Sequence, residues 1–197
     1  MNYLAHAYLS FNHPEILTGN MISDFVKGKK KFDFPPAVQK GIALHRAIDE
    51  FTDFHPVTQK AKAYFKNDYR LYSGAFIDVV YDHFLANDTT AFANAAALDL
   101  FCQSTYASLN ENSTGLPAKF LQMLPYMQQQ NWLYHYSFRE GIEKSFGGLV
   151  RRAAYLSESA TAFKRFNDHY VELNECYQLF FPSLKNFAFN HLAELNY

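Results

Sequence analysis

The chain holds 197 residues, enough for one domain with a substantial core, and 49% of them are apolar. Its 18 basic and 19 acidic residues nearly cancel, which excludes a global field that would draw nucleic acid or an anionic membrane, so any charge-based recognition has to be local. Two cysteines, Cys102 and Cys176, are too few for a disulfide framework and too far apart in sequence for a zinc or redox motif.

Apolar residues recur at three- and four-residue intervals and few segments alternate strictly, so the expected fold is all-α, a single-domain helical bundle. Residues 1–9 read as a first short helix, closed near Asn12-His13-Pro14 because proline disfavours helical geometry in the residue before it. Asn2, His6 and Ser10 interrupt any signal-peptide pattern there. No apolar run approaches the roughly 18 residues that a membrane span needs, and a cytoplasmic protein is expected. A second short helix or turn is expected over residues 18–26. Lys27, Lys29, Lys30 and Lys31 then open a stretch, 28–36, whose breakers Gly28, Pro35 and Pro36 mark it as a loop.

After Pro36 a long helical pattern carries Ile42, Leu44, His45, Ile48 and Asp49, and His55-Pro56 should divide it from a following helix that runs to Phe65. Ser73 is placed to cap a helix holding Phe76, Asp78, Val79, Val80, Asp82, His83 and Phe84, closed near Asn87-Asp88. The remainder should alternate helices with breaks near residues 112–117, Gly147-Gly148 and Pro182. The 20 Phe and 14 Tyr are spread along the chain; they suggest a core packed with large rings, with a lipid or acyl groove as the alternative.

Two of these helices each carry ionisable residues four apart, His45 with Asp49 and Asp78 with Asp82, and a spacing of four puts both side chains on one helical face. Apolar neighbours surround both pairs, where an unpaired carboxylate would cost several kcal/mol, so a divalent cation is the simplest compensation. His6 in the apolar first helix and Asp24 in the turn Gly19-Asn20-Met21-Ile22-Ser23-Asp24-Phe25 extend the set. Carboxylate with imidazole favours manganese, iron or zinc over calcium. Taken singly, either pair also fits a surface ion pair or a satisfied buried histidine.

The motifs Asn2-Tyr3-Leu4-Ala5-His6, Gly19-Asn20 with Asp24-Phe25, His45-Arg46-Ala47-Ile48-Asp49 with Thr52-Asp53, and Asp78-Val79-Val80-Tyr81-Asp82-His83-Phe84-Leu85 resemble those of the acyl carrier protein phosphodiesterases. Looser matches continue through Gln130-Asn131-Trp132-Leu133 and Gly148-Leu149-Val150-Arg151-Arg152. The resemblance implies a helical bundle of HD-phosphohydrolase-like type. It also implies hydrolysis of the phosphodiester between 4′-phosphopantetheine and a serine of holo-acyl carrier protein, usually with Mn2+, while Fe2+, Mg2+ or Zn2+ would fit the same donors. The order Asp82-His83 departs from the adjacent His-Asp of ordinary HD enzymes, so ligands do not transfer by alignment.

Within that chemistry Asp24, His45, Asp49 and Asp82 are expected to supply most of the coordination, with Asp78 completing the shell. His6 would serve as ligand or proton donor and His83 as an orienting or catalytic partner. Asp53 lies one turn beyond Asp49, either in the same network or in an exposed ion pair. Lys29, Lys30 and Lys31, with Arg46, Arg151 and Arg152, are the candidates for contacts with substrate or with an acidic carrier protein. Two other readings remain open: a phosphohydrolase acting on a nucleotide or another small phosphodiester, and a non-catalytic helical protein that binds a carrier or lipid. No glycine-rich phosphate loop supports the nucleotide reading.

Overall fold

Breakers and helix starters punctuate the chain into eleven α-helices among residues 1–195, which the computed structural model describes; no strand occurs among them. In order these are α1 (Tyr3–Tyr8), α2 (Pro14–Ile22), α3 (Pro36–Phe54), α4 (Pro56–Tyr69), α5 (Ser73–Ala86) and α6 (Ala95–Glu111), then α7 (Ala118–Gln129), α8 (Trp132–His135), α9 (Arg139–Arg152), α10 (Ala160–Asp168) and α11 (Tyr170–Glu194). Short 3-10 turns cover Ser23–Phe25, Gly28–Asp33 and Arg70–Tyr72. Together they form one all-α domain, as the apolar periodicity predicts.

Proline sets three of the helix starts. Pro14, Pro36 and Pro56 each stand in the first turn of a helix, where the missing N–H costs nothing and the fixed φ is already helical. His55 is extended between α3 and α4, so the expected division falls there. Pro14 both closes the first segment and opens α2, and that helix therefore begins four residues before the expected 18–26 stretch. Ser73 is the first residue of α5 and not its cap; its hydroxyl donates to the Arg70 carbonyl. The lysine-rich stretch expected as a loop is coiled into the 3-10 turn over Gly28–Asp33.

Two expected breaks are absent. α9 runs unbroken through Gly147-Gly148, and α11 runs through Pro182. An interior proline costs a helix about 3 kcal/mol. In α11, buried Phe180, Phe181 and Leu184 flank it, and burying a large apolar side chain is worth about 1.5–3 kcal/mol apiece, so packing outweighs the defect.

α5 is buried nearly throughout, from Phe76 to Ala86, and forms the centre of the bundle. Aromatic rings join the other helices to it: Phe76 meets Tyr69 of α4 at 4.4 Å and Phe146 of α9 at 5.0 Å, and Tyr81 stacks on Phe180 of α11 at 5.0 Å between centroids. The ring-rich composition is thus spent largely on the core.

α2 and α3 cross backbone to backbone. A Cβ on Gly19 would lie 2.1 Å from the Val38 carbonyl oxygen, and one on Gly41 would lie 2.3 Å from that of Ile16. No other residue permits this approach. Through it the backbone of Asn20 reaches the side chain of His45, one turn along α3 from Gly41.

Candidate metal centre

His45 lies on the buried stripe of α3 with Gly41, Ile48 and Thr52, and Asp49 follows one turn later at the edge of that stripe. Opposite them α1 presents His6, which is 2% exposed. The two imidazoles stack at 3.9 Å between centroids with 13° between planes. Their Nε2 atoms address the two oxygens of one carboxylate: His6 Nε2 is 3.2 Å from Asp49 Oδ1, and His45 Nε2 is 3.1 Å from Asp49 Oδ2. Asp24, from the turn after α2, places Oδ1 3.3 Å from His45 Nε2 while its side chain remains 70% exposed.

Six residues make a weak helix in isolation, so α1 needs outside support to hold His6. Asp82 provides it. Its carboxylate accepts from the first-turn amides of α1, Leu4 N–H at 2.8 Å and Ala5 N–H at 3.1 Å, and so acts as a cap supplied by another helix. Burial pushes the Asp82 carboxyl up to about 7, while the two amides and the Met1 ammonium pull the other way. The far end of α1 is fixed by Asn20, whose side-chain amide donates to the His6 carbonyl at 2.8 Å and to Ser10 Oγ at 3.1 Å.

The cluster calls for positive charge. The Asn20 carbonyl, 2.7 Å from His45 Nδ1, accepts a proton from that nitrogen, and a neutral ring then has a bare lone pair on Nε2 facing Asp24 and Asp49. Without a cation a proton must fill the gap: burial opposes protonation of His45, but Asp24 and Asp49 override it and lift the ring to about 9. Burial also works to raise Asp49, yet the Met1 ammonium and the two imidazoles hold it well below the usual carboxylate range. His6 moves down to about 4 through burial and the neighbouring His45 ring.

A divalent metal fits these donors. His6, His45 and Asp49 each offer a ligand atom, all within 4.8 Å of one another. Neither ring nitrogen of the buried His6 has a hydrogen-bond partner; Nε2 is near Asp49 Oδ1 but misaligned for a bond. Such an orphan is costly unless something else binds it. The Asn20 carbonyl on His45 is the kind of outer contact that orients a metal-binding imidazole.

The other expected site residues lie apart from this triad. Both oxygens of Asp82 accept backbone amides of α1. Half-buried Asp78 pairs with the Met1 ammonium at 3.1 Å, and the same ammonium is 3.0 Å from Asp49 Oδ1. His83 is turned away: Nδ1 donates to the Tyr136 carbonyl at 2.7 Å and Nε2 accepts from the Tyr170 hydroxyl at 2.9 Å. Asp53 forms an exposed pair with Lys62 at 2.8 Å. Arg46 donates to the Val26 carbonyl at 2.9 Å, tying α3 to the segment after Asp24.

Of the basic candidates, Lys30 lines a groove with Lys27, Lys119 and Asp24, Lys29 is exposed beside it, and Lys31 lies over the Phe32 ring. Arg151 and Arg152 are exposed at the end of α9, and Arg152 lines a recess with Asp24 and Asp78. Sequence reasoning gave no role to Asn20, though a lone amide in buried α2 was its available signal, and none to the Met1 ammonium, for which residue types carry no signal.

The sequence has counterparts among known proteins. A family model described as acyl carrier protein phosphodiesterase matches residues 1–184. A Yersinia pestis protein named acyl carrier protein phosphodiesterase is 32% identical over 184 residues, covering 93% of this chain and 95% of its own. One of the same name from Photorhabdus laumondii subsp. laumondii is 30% identical over 190 residues, covering 96% of each chain. No solved structure matches. With the family's model spanning nearly all of its length, the chain belongs to the acyl carrier protein phosphodiesterase family.

Proposed function

We propose that the chain hydrolyses the phosphodiester joining 4′-phosphopantetheine to a serine of holo-acyl carrier protein, releasing the apo-carrier and 4′-phosphopantetheine. The observation that carries this reading is the triad of His6, His45 and Asp49, in a chain whose relatives bear that activity in their names. These three residues would hold a divalent metal, Mn2+ by preference, with Asp24 reaching it from the solvent side. When bound, such an ion lowers the pKa of water and draws charge from a phosphoryl oxygen. Helices that present His and Asp inward suit an HD-type scaffold, and the two unpaired, buried cysteines suit a reducing cytoplasm.

The chain's own groups divide the remaining work. Asp24 is 70% exposed at the mouth of the triad, beside His45 Nε2, a position suited to orient the attacking water. His6 is closed from solvent and reaches only Asp49 and His45, a position suited to a ligand and not to a proton donor. Arg152, lining the recess with Asp24 and Asp78, is placed to meet phosphate oxygens. Lys27, Lys30 and Lys119, in the groove beside Asp24, suit the acidic surface of a carrier protein.

The test is incubation of the purified protein with holo-carrier protein, with and without Mn2+, read by intact mass. Loss of the phosphopantetheine mass only with metal supports the proposal. Metal-dependent cleavage of generic small phosphodiesters alone would make the chain a phosphohydrolase of other specificity, and metal binding with no turnover would make it a binding protein.

A further inference from the structure

A cavity of about 400 Å³ lies beneath α9, with Tyr3, Trp132, Tyr136, Gly148 and Leu149 among its walls. It adjoins the recess that holds Asp24, Asp78 and Met1, since Asn2, Tyr3, Leu149 and Arg152 line both. Trp132, Gln130 and Ser145 line the cavity only and so mark its side away from the metal centre. There the Trp132 indole N–H donates to Gln130 Oε1 at 3.0 Å. Lys144, Arg151 and Arg152 give the lining an exposed basic part.

We propose that this cavity is the subsite for the 4′-phosphopantetheine arm, with the phosphate beside Arg152 at the junction and the pantetheine chain running past Tyr3 and Leu149 to Trp132. The proposal rests on the carrier-protein reading above. Phosphorus has to sit at the mouth of the triad, and the folded body of a carrier has to remain outside, so the arm must leave the phosphate in some direction. From the recess, one direction continues into this cavity, which shares four of its residues. Its volume is within the roughly 300–1,000 Å³ usual for small-molecule sites. The mixed lining suits the arm's chemistry: aromatic and leucine side chains for its methyl groups and methylenes, Gln130 and Ser145 for its two amides, and Arg152 for the phosphate. The product therefore binds with its phosphate at the metal centre and its thiol end toward Trp132.

Gly148 offers a steric test. A Cβ there meets only Arg151 Nη2, at 3.7 Å, so a larger side chain can enter the cavity without displacing backbone or triad. Trp132 is the only tryptophan of the chain, and its fluorescence reports on this cavity alone. Expected for the wild-type protein is a saturable fluorescence change with 4′-phosphopantetheine that inorganic phosphate does not reproduce. Gly148→Phe should weaken that binding at least tenfold and raise KM for holo-carrier protein by a similar factor. Metal affinity and hydrolysis of bis(p-nitrophenyl) phosphate should be unchanged.

If the variant matches wild type in product binding and KM while both cleave holo-carrier, the subsite is wrong and the hydrolase reading stands. If Gly148→Phe, still folded by circular dichroism, loses metal or small-diester hydrolysis as well, the residue acts through the triad and the subsite is again rejected. Should wild type fail to cleave holo-carrier at all, the function and the subsite fall together. Trp132→Ala, read by KM and product inhibition, covers the case in which Gly148→Phe does not fold: a rise in both constants supports the subsite, and unchanged constants overturn it.

Discussion

Spacing along a helix says which side chains share a face and nothing about what that face meets. His45 and Asp49 were readable as a pair for that reason, and the structure turns both toward His6. Asp78 and Asp82 have the same spacing, yet one meets the Met1 ammonium and the other the first turn of α1. Through those amides Asp82 holds the helix that carries His6. Asp82→Asn keeps the shape but leaves one α1 amide without an acceptor; the expected loss is about 1–3 kcal/mol of stability, with metal affinity down by roughly 10–100-fold. Denaturant titration and calorimetric metal binding check the two effects separately.

His83 is legible as a polar residue in a buried helix, and there it bridges the Tyr136 carbonyl and the Tyr170 hydroxyl. Burial, aided by nearby Arg139, lowers the ring to about 4, against 6.5 ordinarily. Between those values the unfolded chain binds the extra proton, so the contribution to stability is complete above 6.5 and is lost as pH falls toward 4. Wild type should therefore lose roughly 2 kcal/mol more than His83→Gln between pH 7 and 4.5. Urea unfolding at the two pH values measures this, and equal losses would refute it.

At the scale of elements, breakers located most boundaries, and misread those where tertiary packing prevails. Pro56 ends one helix and starts another, while Pro182 is overridden by the buried rings around it. Glycine is ambiguous in the same way. Gly41 is required by the α2–α3 crossing, whereas Gly148 has room around it in an unbroken α9. Gly41→Ala would drive a methyl group into the Ile16 carbonyl, cost roughly 1–3 kcal/mol, and pull Asn20 away from His45. By contrast, Gly148→Ala should be neutral or gain about 0.5–1 kcal/mol. Thermal unfolding of the pair distinguishes a packing glycine from an incidental one.

For the whole molecule, a near-zero net charge conceals a local pattern. Lys27 and Lys30, from one short segment, meet Lys119, from far along the sequence, in one groove beside Asp24. The lysine run was visible in the sequence; its completion by Lys119 depended on the fold. Reversing Lys27 and Lys30 to Glu should raise KM for holo-carrier about tenfold and flatten its salt dependence, with little change in small-diester hydrolysis. The all-α class was legible from periodicity alone. His6 was harder, because α1 is held at the site by Asp82 and Asn20, contacts between segments that no local pattern encodes.

The most direct measurement compares wild type with Asp49→Ala for bound Mn2+ by calorimetry and for loss of phosphopantetheine from holo-carrier by intact mass. The expected result is metal binding and complete turnover by wild type, with both abolished in a variant that keeps its helical circular dichroism spectrum. Normal metal content and turnover in Asp49→Ala would contradict a centre built on His6, His45 and Asp49.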